Sequence, residues 1–207
     1  LCRWSNVADL ATLKSRIASE IHRSDLTSAI AYAIGDAVKQ YQSRRFAFNQ
    51  TRGTFSTAVG TEFYDSLTDI ASIDTVTMTV NGRKVVLDEW PYGYMERINT
   101  TTNTNNQPWA WSWYDEKIRL YPIPDAVYPM TVSYVQKVDV PSTDGASNIW
   151  TTEAEELIRH AAKKRIYRDV TMDDSGAMKA EMAEAEQLAR LTKDSNRLAA
   201  GGLRGSM

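Results

Sequence analysis

Residues 113–156 constrain the fold of this chain more than any other segment. Alternating side chains predict one strand over residues 117–121 and another over 130–134, joined by a Pro-x-Pro-Asp turn. A polar linker follows, and Thr152 and Glu155 then have the spacing of a helix capping box. Two strands that lead into a capped helix predict a domain that mixes β structure with helices.

Helical periodicity is found near the two ends of the chain. Residues 6–45 predict two helices joined by a tight turn, the first capped by Asn6 and carrying Asp9 in its first turn. Residues 151–197 predict two more helices. Gly35 lies inside the second helix, where glycine costs about 1 kcal/mol relative to alanine, and a close helix crossing would explain it.

The clearest strand signal lies in the middle of the chain. Valine and methionine alternate with threonine over residues 75–80, which is the period of a half-buried strand. Asn81 and Gly82 follow, and both tolerate the positive φ of a type I′ turn. Residues 83–87 are the predicted return strand, so this segment is interpreted as a β-hairpin.

Aromatic residues are concentrated just after this hairpin. Residues 88–91 resemble a helix start, and residues 92–98 predict a short helix. Residues 99–106 form a Thr/Asn run that predicts an exposed loop. The next strand carries three alternating indoles: Trp109, Trp111 and Trp113. They can fill a core or anchor a partner, and Trp109 is the one most expected to be exposed.

The last predicted helix, residues 177–197, has a thin apolar stripe. Its members are Met178, Met182, Ala185, Leu188 and Ala189. A thin stripe indicates shallow packing or a partner helix elsewhere. The glycine-containing residues that follow have no sequence signal for folding alone.

Together these patterns predict an α+β fold that is mainly helical. The N- and C-terminal helices, residues 6–45 and 151–197, are expected to form an antiparallel helical bundle. Residues 46–140 are expected to form a β-rich central insertion, and residues 198–207 a flexible C-terminal tail.

Composition restricts the class of function. The formal net charge of −2 argues against a protein that coats nucleic acid, because such proteins show a basic excess. The single cysteine, Cys2, allows no intrachain disulfide, which fits assembly in a reducing compartment. No apolar run approaches the roughly 20 residues that span a bilayer, and residues 1–10 lack the apolar stretch of a signal peptide.

Catalytic and metal-binding patterns are weak. His22 and His160 are the only histidines, and a zinc site needs three or four ligands, so no metal or cofactor is predicted. Acidic pairs occur at predicted turns and caps, where Asp and Glu have local roles. These pairs are Asp65/Asp69, Asp88/Glu89, Asp115/Glu116 and Asp173/Asp174. The nucleophile-elbow, phosphate-loop, dinucleotide and His-Glu-x-x-His motifs do not occur.

Three further segments, taken in order, form a recognisable pattern. The first is Leu-Lys-Ser-Arg-Ile-Ala from Leu13, followed by Arg-Ser-Asp-Leu over residues 23–26. The second is Lys-Ile-Arg-Leu-Tyr-Pro-Ile-Pro-Asp from Lys117, followed by Tyr-Pro-Met-Thr-Val-Ser-Tyr from Tyr128. The third is Asn-Ile-Trp-Thr-Thr-Glu from Asn148. In this order the segments resemble the head-to-tail adaptor (head completion or connector) proteins of tailed, especially short-tailed, bacteriophages, although the Trp-rich strand departs from the family pattern.

The resemblance implies a non-enzymatic virion protein at the head–tail interface, assembled in the host cytoplasm. It implies a ring of about twelve copies below the portal protein, which extends the DNA channel and carries the tail nozzle or tail fibres. Genome DNA would pass through the lumen without sequence-specific binding. No cofactor and no membrane are implied.

Candidate contact residues follow from placing this chain in such a ring. For docking on the portal they are Arg197, Leu198, Leu203, Arg204 and Met207. For the surface facing the nozzle they are Arg52, Thr102, Asn105 and Trp109. For contacts between ring neighbours they are Met178, Met182, Leu188, Lys163 and Arg168.

Two alternatives stay open on the sequence alone. One is a virion-associated peptidoglycan hydrolase that uses an acidic pair such as Asp115 and Glu116. The other is a small nucleic-acid-binding module that uses the basic residues between Lys163 and Arg168, with an affinity that falls steeply with salt.

Overall fold

The structure, a computed structural model, describes residues 9–98 and 105–201. The chain divides into two compact units, called here unit 1 (residues 1–49 and 138–207) and unit 2 (residues 50–137). The fold is 43% helical and 25% strand, and the described residues form six α-helices and two sheets. This confirms the predicted α+β class.

Helices form most of the described part of unit 1. In chain order they are α1 (Leu10–Glu20), α2 (Thr27–Tyr41), α3 (Tyr92–Ile98), α4 (Ile149–Thr152), α5 (Glu155–Asp169) and α6 (Asp174–Gly201). All but α3 belong to unit 1. Helix α5 packs against α1, α2 and α6, so it occupies the centre of the unit. Its Leu157 and Ile158 are fully buried, as are Leu13 and Ile17 of α1 and Ile34 of α2.

Two predicted helix starts are wrong. Asp9 is the N-cap of α1 rather than a first-turn residue, and its carboxylate accepts a hydrogen bond from the Thr12 backbone N–H at 2.7 Å. Asn6, the predicted cap, lies outside the described residues. The capping box before α5 does not form from Thr152 and Glu155. Asn148 and Thr151 form a capping box instead, at the start of α4. Helix α5 begins separately, with Ala154 at its N-cap position and no side-chain cap.

The predicted reason for Gly35, a close helix crossing, is also wrong. A Cβ built on this residue would meet no atom within 4 Å, so no close helix crossing explains the glycine. The remaining apolar stripe of α2 is confirmed, since Ile30, Ile34, Val38 and Tyr41 are buried. Gly35 therefore leaves an open notch on the partly exposed side of α2.

Unit 2 consists of two four-stranded sheets and α3. The strands are β1 (Gln50–Ser56), β2 (Phe63–Tyr64), β3 (Ile70–Val80), β4 (Arg83–Val86), β5 (Asp88–Glu89), β6 (Ala110–Tyr114), β7 (Lys117–Tyr121) and β8 (Pro129–Gln136). The first sheet has the order β1-β8-β3-β4 and the second β2-β7-β6-β5. Only the β5–β6 pair is parallel among the described strands.

The predicted hairpin is confirmed. Strands β3 and β4 pair from Val80 opposite Arg83 outward, and Asn81 and Gly82 have φ values of 49° and 76°. Helix α3 has its predicted bounds. Asp88 and Glu89 are not a helix start, however, because they pair with β6 as the edge strand β5.

The two sheets share one apolar core. Met78 from β3 and Val132 from β8 meet Trp111 and Leu120 from the second sheet in a single buried cluster. Trp113 packs against this cluster, whereas Trp109 precedes β6 and is 41% exposed. The three indoles thus divide into two core residues and one surface residue.

Candidate interaction surfaces

Helix α6 packs against the other helices of unit 1 through an inner face that includes a buried carboxylate. Glu184 is buried, accepts a hydrogen bond from the Tyr41 hydroxyl at 2.5 Å and forms an ion pair with Lys164. Burial, followed by the hydrogen bond and charge of Glu184, raises the pKa of Tyr41 well above its usual range. Since Tyr41 belongs to α2 and Lys164 to α5, one carboxylate fixes α6 to two other helices.

The opposite side of α6 carries the apolar stripe that the sequence singled out. Met178 and Met182 are 65% and 70% exposed, and Ala185 and Ala189 continue the stripe along the exposed side. Leu188 lies at the edge between the two faces: it lines one groove with Ala185 and Ala189 and also packs against the core of unit 1. We call the four exposed residues the outer stripe. Helix α6 is therefore apolar on two sides, of which the described part of the chain covers only one.

The basic residues of α5 are engaged within the chain. Lys163 forms an ion pair with Glu20 at 2.6 Å, and Lys164 pairs with Glu184. Arg165 donates to the Gln40 side-chain oxygen at 2.8 Å, and Arg168 pairs with its neighbour Asp169 at 2.8 Å. Of these four, Arg168 is the most exposed. The cluster is thus mainly a set of links between helices, which weakens the nucleic-acid alternative.

Helix α2 presents a surface that sequence reasoning missed. Tyr32 is 77% exposed and stands between two apolar grooves. One groove, of 270 Å³, is lined by Ala29 and Val170, and the other, of 510 Å³, by Gly35 and Val140. Tyr32 lies outside the buried stripe of α2, and this placement of an aromatic residue was the only available signal.

The outer side of the second sheet carries a buried arginine beneath α3. Arg119 is 1% exposed and forms ion pairs with Glu62 and Glu96, each at 2.5 Å. Its guanidinium carbon lies 5.4 Å from the centre of the Phe63 ring and 5.1 Å from that of Tyr92. Arg119 thereby joins β2, β7 and α3 in one contact.

Several aromatic rings, some of them exposed, also pack together beside α3. Trp109 packs edge-on against Trp90, with ring centres 4.6 Å apart, and Tyr92 stacks on Tyr114 at 4.0 Å. Tyr94 also contacts Trp90. The rings belong to β6, α3 and the segments beside them, so the Trp-rich segment does contribute to an exposed aromatic surface.

The sequence matches the SU10 adaptor protein family over residues 8–205, nearly the whole chain. The chain belongs to this family. It is a phage structural adaptor and a virion component, which confirms the resemblance at the level of an adaptor. No curated protein matches the chain. None of the helices in residues 9–98 and 105–201 combines the length and the apolar character needed to cross a membrane.

The remaining predicted contact residues of the adaptor are spread over both units. Arg52 is an exposed residue of edge strand β1, and Asn105 is exposed beside Gly60. Arg197 and Leu198 are exposed near the end of α6, where Arg197 pairs with Asp194 at 3.6 Å. Thr102, Leu203, Arg204 and Met207 lie outside the described residues.

Two of the acidic pairs meet in unit 2 of the adaptor. Asp65 and Asp69 line the same cavity of 430 Å³ as Asp115 and Glu116, with Trp113 at its wall. Asp115 and Glu116 have φ values of 51° and 56°, so they form the tight turn between β6 and β7. Within the described residues no group of three or more His, Cys, Asp or Glu side chains could hold a metal ion.

His160 should make the stability of the adaptor depend on pH. It is half-buried in α5, and burial, followed by the charges of Lys163 and Arg159, lowers its pKa below 6.5. The unfolded chain then binds a proton that the folded chain does not. Stability is therefore expected to fall as pH is lowered through 6.5 and to level off below the folded pKa.

The test is urea unfolding between pH 7.5 and 5.5. His160→Gln should flatten the dependence of the unfolding free energy on pH in this range. His22→Gln, at the exposed histidine between α1 and α2, is the matched control for the substitution itself. An unchanged slope in His160→Gln would contradict the assignment.

Proposed function

We propose that the adaptor forms a ring between the portal and the tail nozzle, and that this ring extends the DNA channel. Association with portal and tail components is what membership of an adaptor family implies. The observation that carries the ring is the outer stripe of α6, which is an apolar helix face without a partner in the described part of the chain. A closed ring would cover such a face on every copy.

Unit 1 supplies the contacts between ring neighbours in this proposal. Its helices are linked to one another by many internal contacts, which suits a rigid building block. Met178 and Met182 are the exposed members of the predicted neighbour set, and Arg168 is accessible beside Asp169. Lys163 and Leu188 are turned inward, so they support the helices that carry the contacts.

Unit 2 faces the tail nozzle or tail fibres in this proposal. Arg52, Asn105 and Trp109 are all exposed, and Trp109 belongs to the aromatic surface beside α3 through its contact with Trp90. Aromatic rings are common anchors at protein interfaces because they bury a large area at a small cost in side-chain entropy. The chain's formal net charge of −2 suits a lumen along which DNA passes without sticking.

The ring is tested by measuring mass in solution by light scattering. The adaptor is measured alone and after mixing with the portal protein of the same phage. The expected result is a stoichiometric ring of about twelve copies on the portal. An adaptor that stays monomeric in both samples would contradict the proposed function.

Removal of residues 198–207 should weaken portal binding about tenfold or more and leave the rest of the chain folded. The reason for expecting a folded product is that Leu198 is mostly exposed, so its loss removes little buried area. Binding is measured by surface plasmon resonance on immobilised portal, and folding by far-UV circular dichroism. Arg52→Ala, in unit 2, is the control and should bind the portal normally. Unchanged binding after the deletion would show that the tail does not dock there.

A further inference from the structure

We propose that the outer stripe of α6 packs into the two grooves beside Tyr32 on α2 of a second copy of the chain. The proposal rests on the proposed ring and specifies which two helix faces meet in it. The donor face consists of Met178, Met182, Ala185 and Ala189. We call the α2 surface around Tyr32, from Ala29 to Lys39, the acceptor face.

The two faces have complementary relief. Met178 and Met182 project from α6 as a ridge one helical turn apart, and methionine adapts its shape to the groove that receives it. On the acceptor face, small residues on both sides of Tyr32 leave two grooves, and at Gly35 nothing lies within 4 Å of a built Cβ. Packing a ridge into a groove is the ordinary geometry of helix contacts.

The charges beside the two faces are also complementary. Lys179 and Lys193 are exposed along one edge of the outer stripe, and neither forms an ion pair with another described residue. Asp36 and Asp139 line the groove that contains Gly35 together with one cation, Lys39, so acidic groups are in excess there. Neither aspartate forms an ion pair with another described residue. Opposite charges at the rims favour one orientation of the contact over others.

The acceptor must belong to another copy. The inner face of α6 already meets its own α2, where the Tyr41 hydroxyl donates to Glu184. The outer stripe lies on the other side of α6 and is therefore directed away from α2 of the same chain. Donor and acceptor are different surfaces, so the contact is heterologous, and heterologous contacts close into rings when the rotation allows.

Cysteine cross-linking tests the pairing. In a Cys2→Ser background, Gly35→Cys and Met182→Cys are purified separately, then mixed and oxidised, with portal protein present. The expected product is a covalent dimer in the mixture only, and a ladder of larger species from the chain that carries both substitutions. A disulfide requires Cα atoms about 4.4–6.8 Å apart, so cross-linking reports direct contact.

The outcomes separate this proposal from the ring itself. Rings seen by light scattering without the mixed disulfide would overturn the pairing and leave the ring intact. A covalent dimer from either single variant alone would show a two-fold contact and would also overturn the pairing. A chain that stays monomeric with the portal would contradict both proposals.

A second variant removes the contact without weakening the fold. Gly35→Gln fills the notch while replacing glycine in a helix, so the monomer should be at least as stable as the wild type. Ring formation should nevertheless weaken about tenfold or more. Ser15→Gln, on the exposed side of α1, introduces the same side chain elsewhere and should assemble normally. Normal assembly of Gly35→Gln would overturn the proposal.

Discussion

Arg119→Ala should lower the unfolding free energy of unit 2 by about 3–5 kcal/mol, the cost of breaking a buried ion pair from one side. The Arg119 side chain is 2% exposed and lies 2.5 Å from both Glu62 and Glu96. Without the guanidinium, the mostly buried Glu62 carboxylate loses this cation. The substitution also removes the packing of the guanidinium against Phe63 and Tyr92.

Lysine should restore only part of this stability. A guanidinium presents several N–H donors in a plane and can bond two carboxylates at once, whereas an ammonium is a single point charge. Arg119→Lys is therefore expected to lie between the wild type and Arg119→Ala. An unfolding free energy of Arg119→Lys between those of the wild type and Arg119→Ala would show that the planar geometry of the guanidinium contributes in addition to its charge.

The measurement is urea unfolding combined with hydrogen exchange by mass spectrometry. Arg119→Ala should shift the unfolding midpoint and increase exchange in β2, β7 and α3, the elements that Arg119 joins. Lys117→Ala lies on the same strand and pairs with Asp115 only at 3.9 Å, so it should change stability by at most about 0.5 kcal/mol. A loss below 1 kcal/mol in Arg119→Ala would show that the arginine does not hold α3 to the sheet.

Elements set by short-range signals were predictable from the sequence. The β3–β4 hairpin depends on two turn residues, Asn81 and Gly82, and on the alternation beside them. Helix α3 depends on Pro91 at its start, and its predicted bounds agree with the structure. The buried stripe of α2 could be predicted because every fourth or third residue is apolar.

Features set by distant residues were not predictable. Alternation places Arg119 on the outward side of β7, but its burial depends on α3 and β2, which are far away in sequence. Glu184 has the sequence character of a surface residue, and only Tyr41 and Lys164 from other helices make it a buried one. The pairing of β3 with β8 likewise joins residues that are far apart in sequence, such as Met78 and Met130 or Ile70 and Gln136.

Helix α6 shows why the stripe alone was ambiguous. Met178 and Met182 repeat with helical spacing, and so do Ala180, Glu184, Leu188 and Leu191 on the other side. The methionines have the stronger apolar character. The second set nevertheless faces the rest of unit 1, where Tyr41 and Lys164 provide a hydrogen bond and an ion pair for the Glu184 carboxylate. The apolar pattern of α6 therefore predicts the outer stripe, and tertiary contacts decide which side is covered.

Trp150→Ala should lower the unfolding free energy of unit 1 by about 3–5 kcal/mol, the usual range for removing a buried tryptophan. Trp150 is one of the largest fully buried side chains in the described part of the chain. Its ring meets Phe46 and Phe48 edge-on, with centres 6.4 Å and 5.8 Å apart, and its indole N–H donates to the Val138 carbonyl at 2.6 Å. Alanine would leave a cavity and would also leave the partly buried Val138 carbonyl without its indole donor.

Two further variants divide this effect. Trp150→Phe keeps part of the aromatic side chain but removes the donor to the partly buried Val138 carbonyl, so the unfolding free energy should fall by about 1–3 kcal/mol. Trp109→Ala is the matched control, because Trp109 is 41% exposed and the substitution is the same. It should change the unfolding midpoint little. If Trp109 anchors a tail protein as proposed, Trp109→Ala should remain stable and yet lose tail attachment in assembled particles.

The measurement for Trp150 is the urea midpoint together with hydrogen exchange in α2, α4 and α5. Increased exchange in these helices, with β3 and β8 unchanged, would place the loss in unit 1. Equal losses of unfolding free energy in Trp150→Ala and Trp109→Ala would contradict the assignment of Trp150 to the core.

Because α5 lies between α2 and α6, loosening the Trp150 end of the unit should also disturb the outer stripe. Trp150→Ala is therefore expected to impair ring assembly at temperatures where the monomer is still folded.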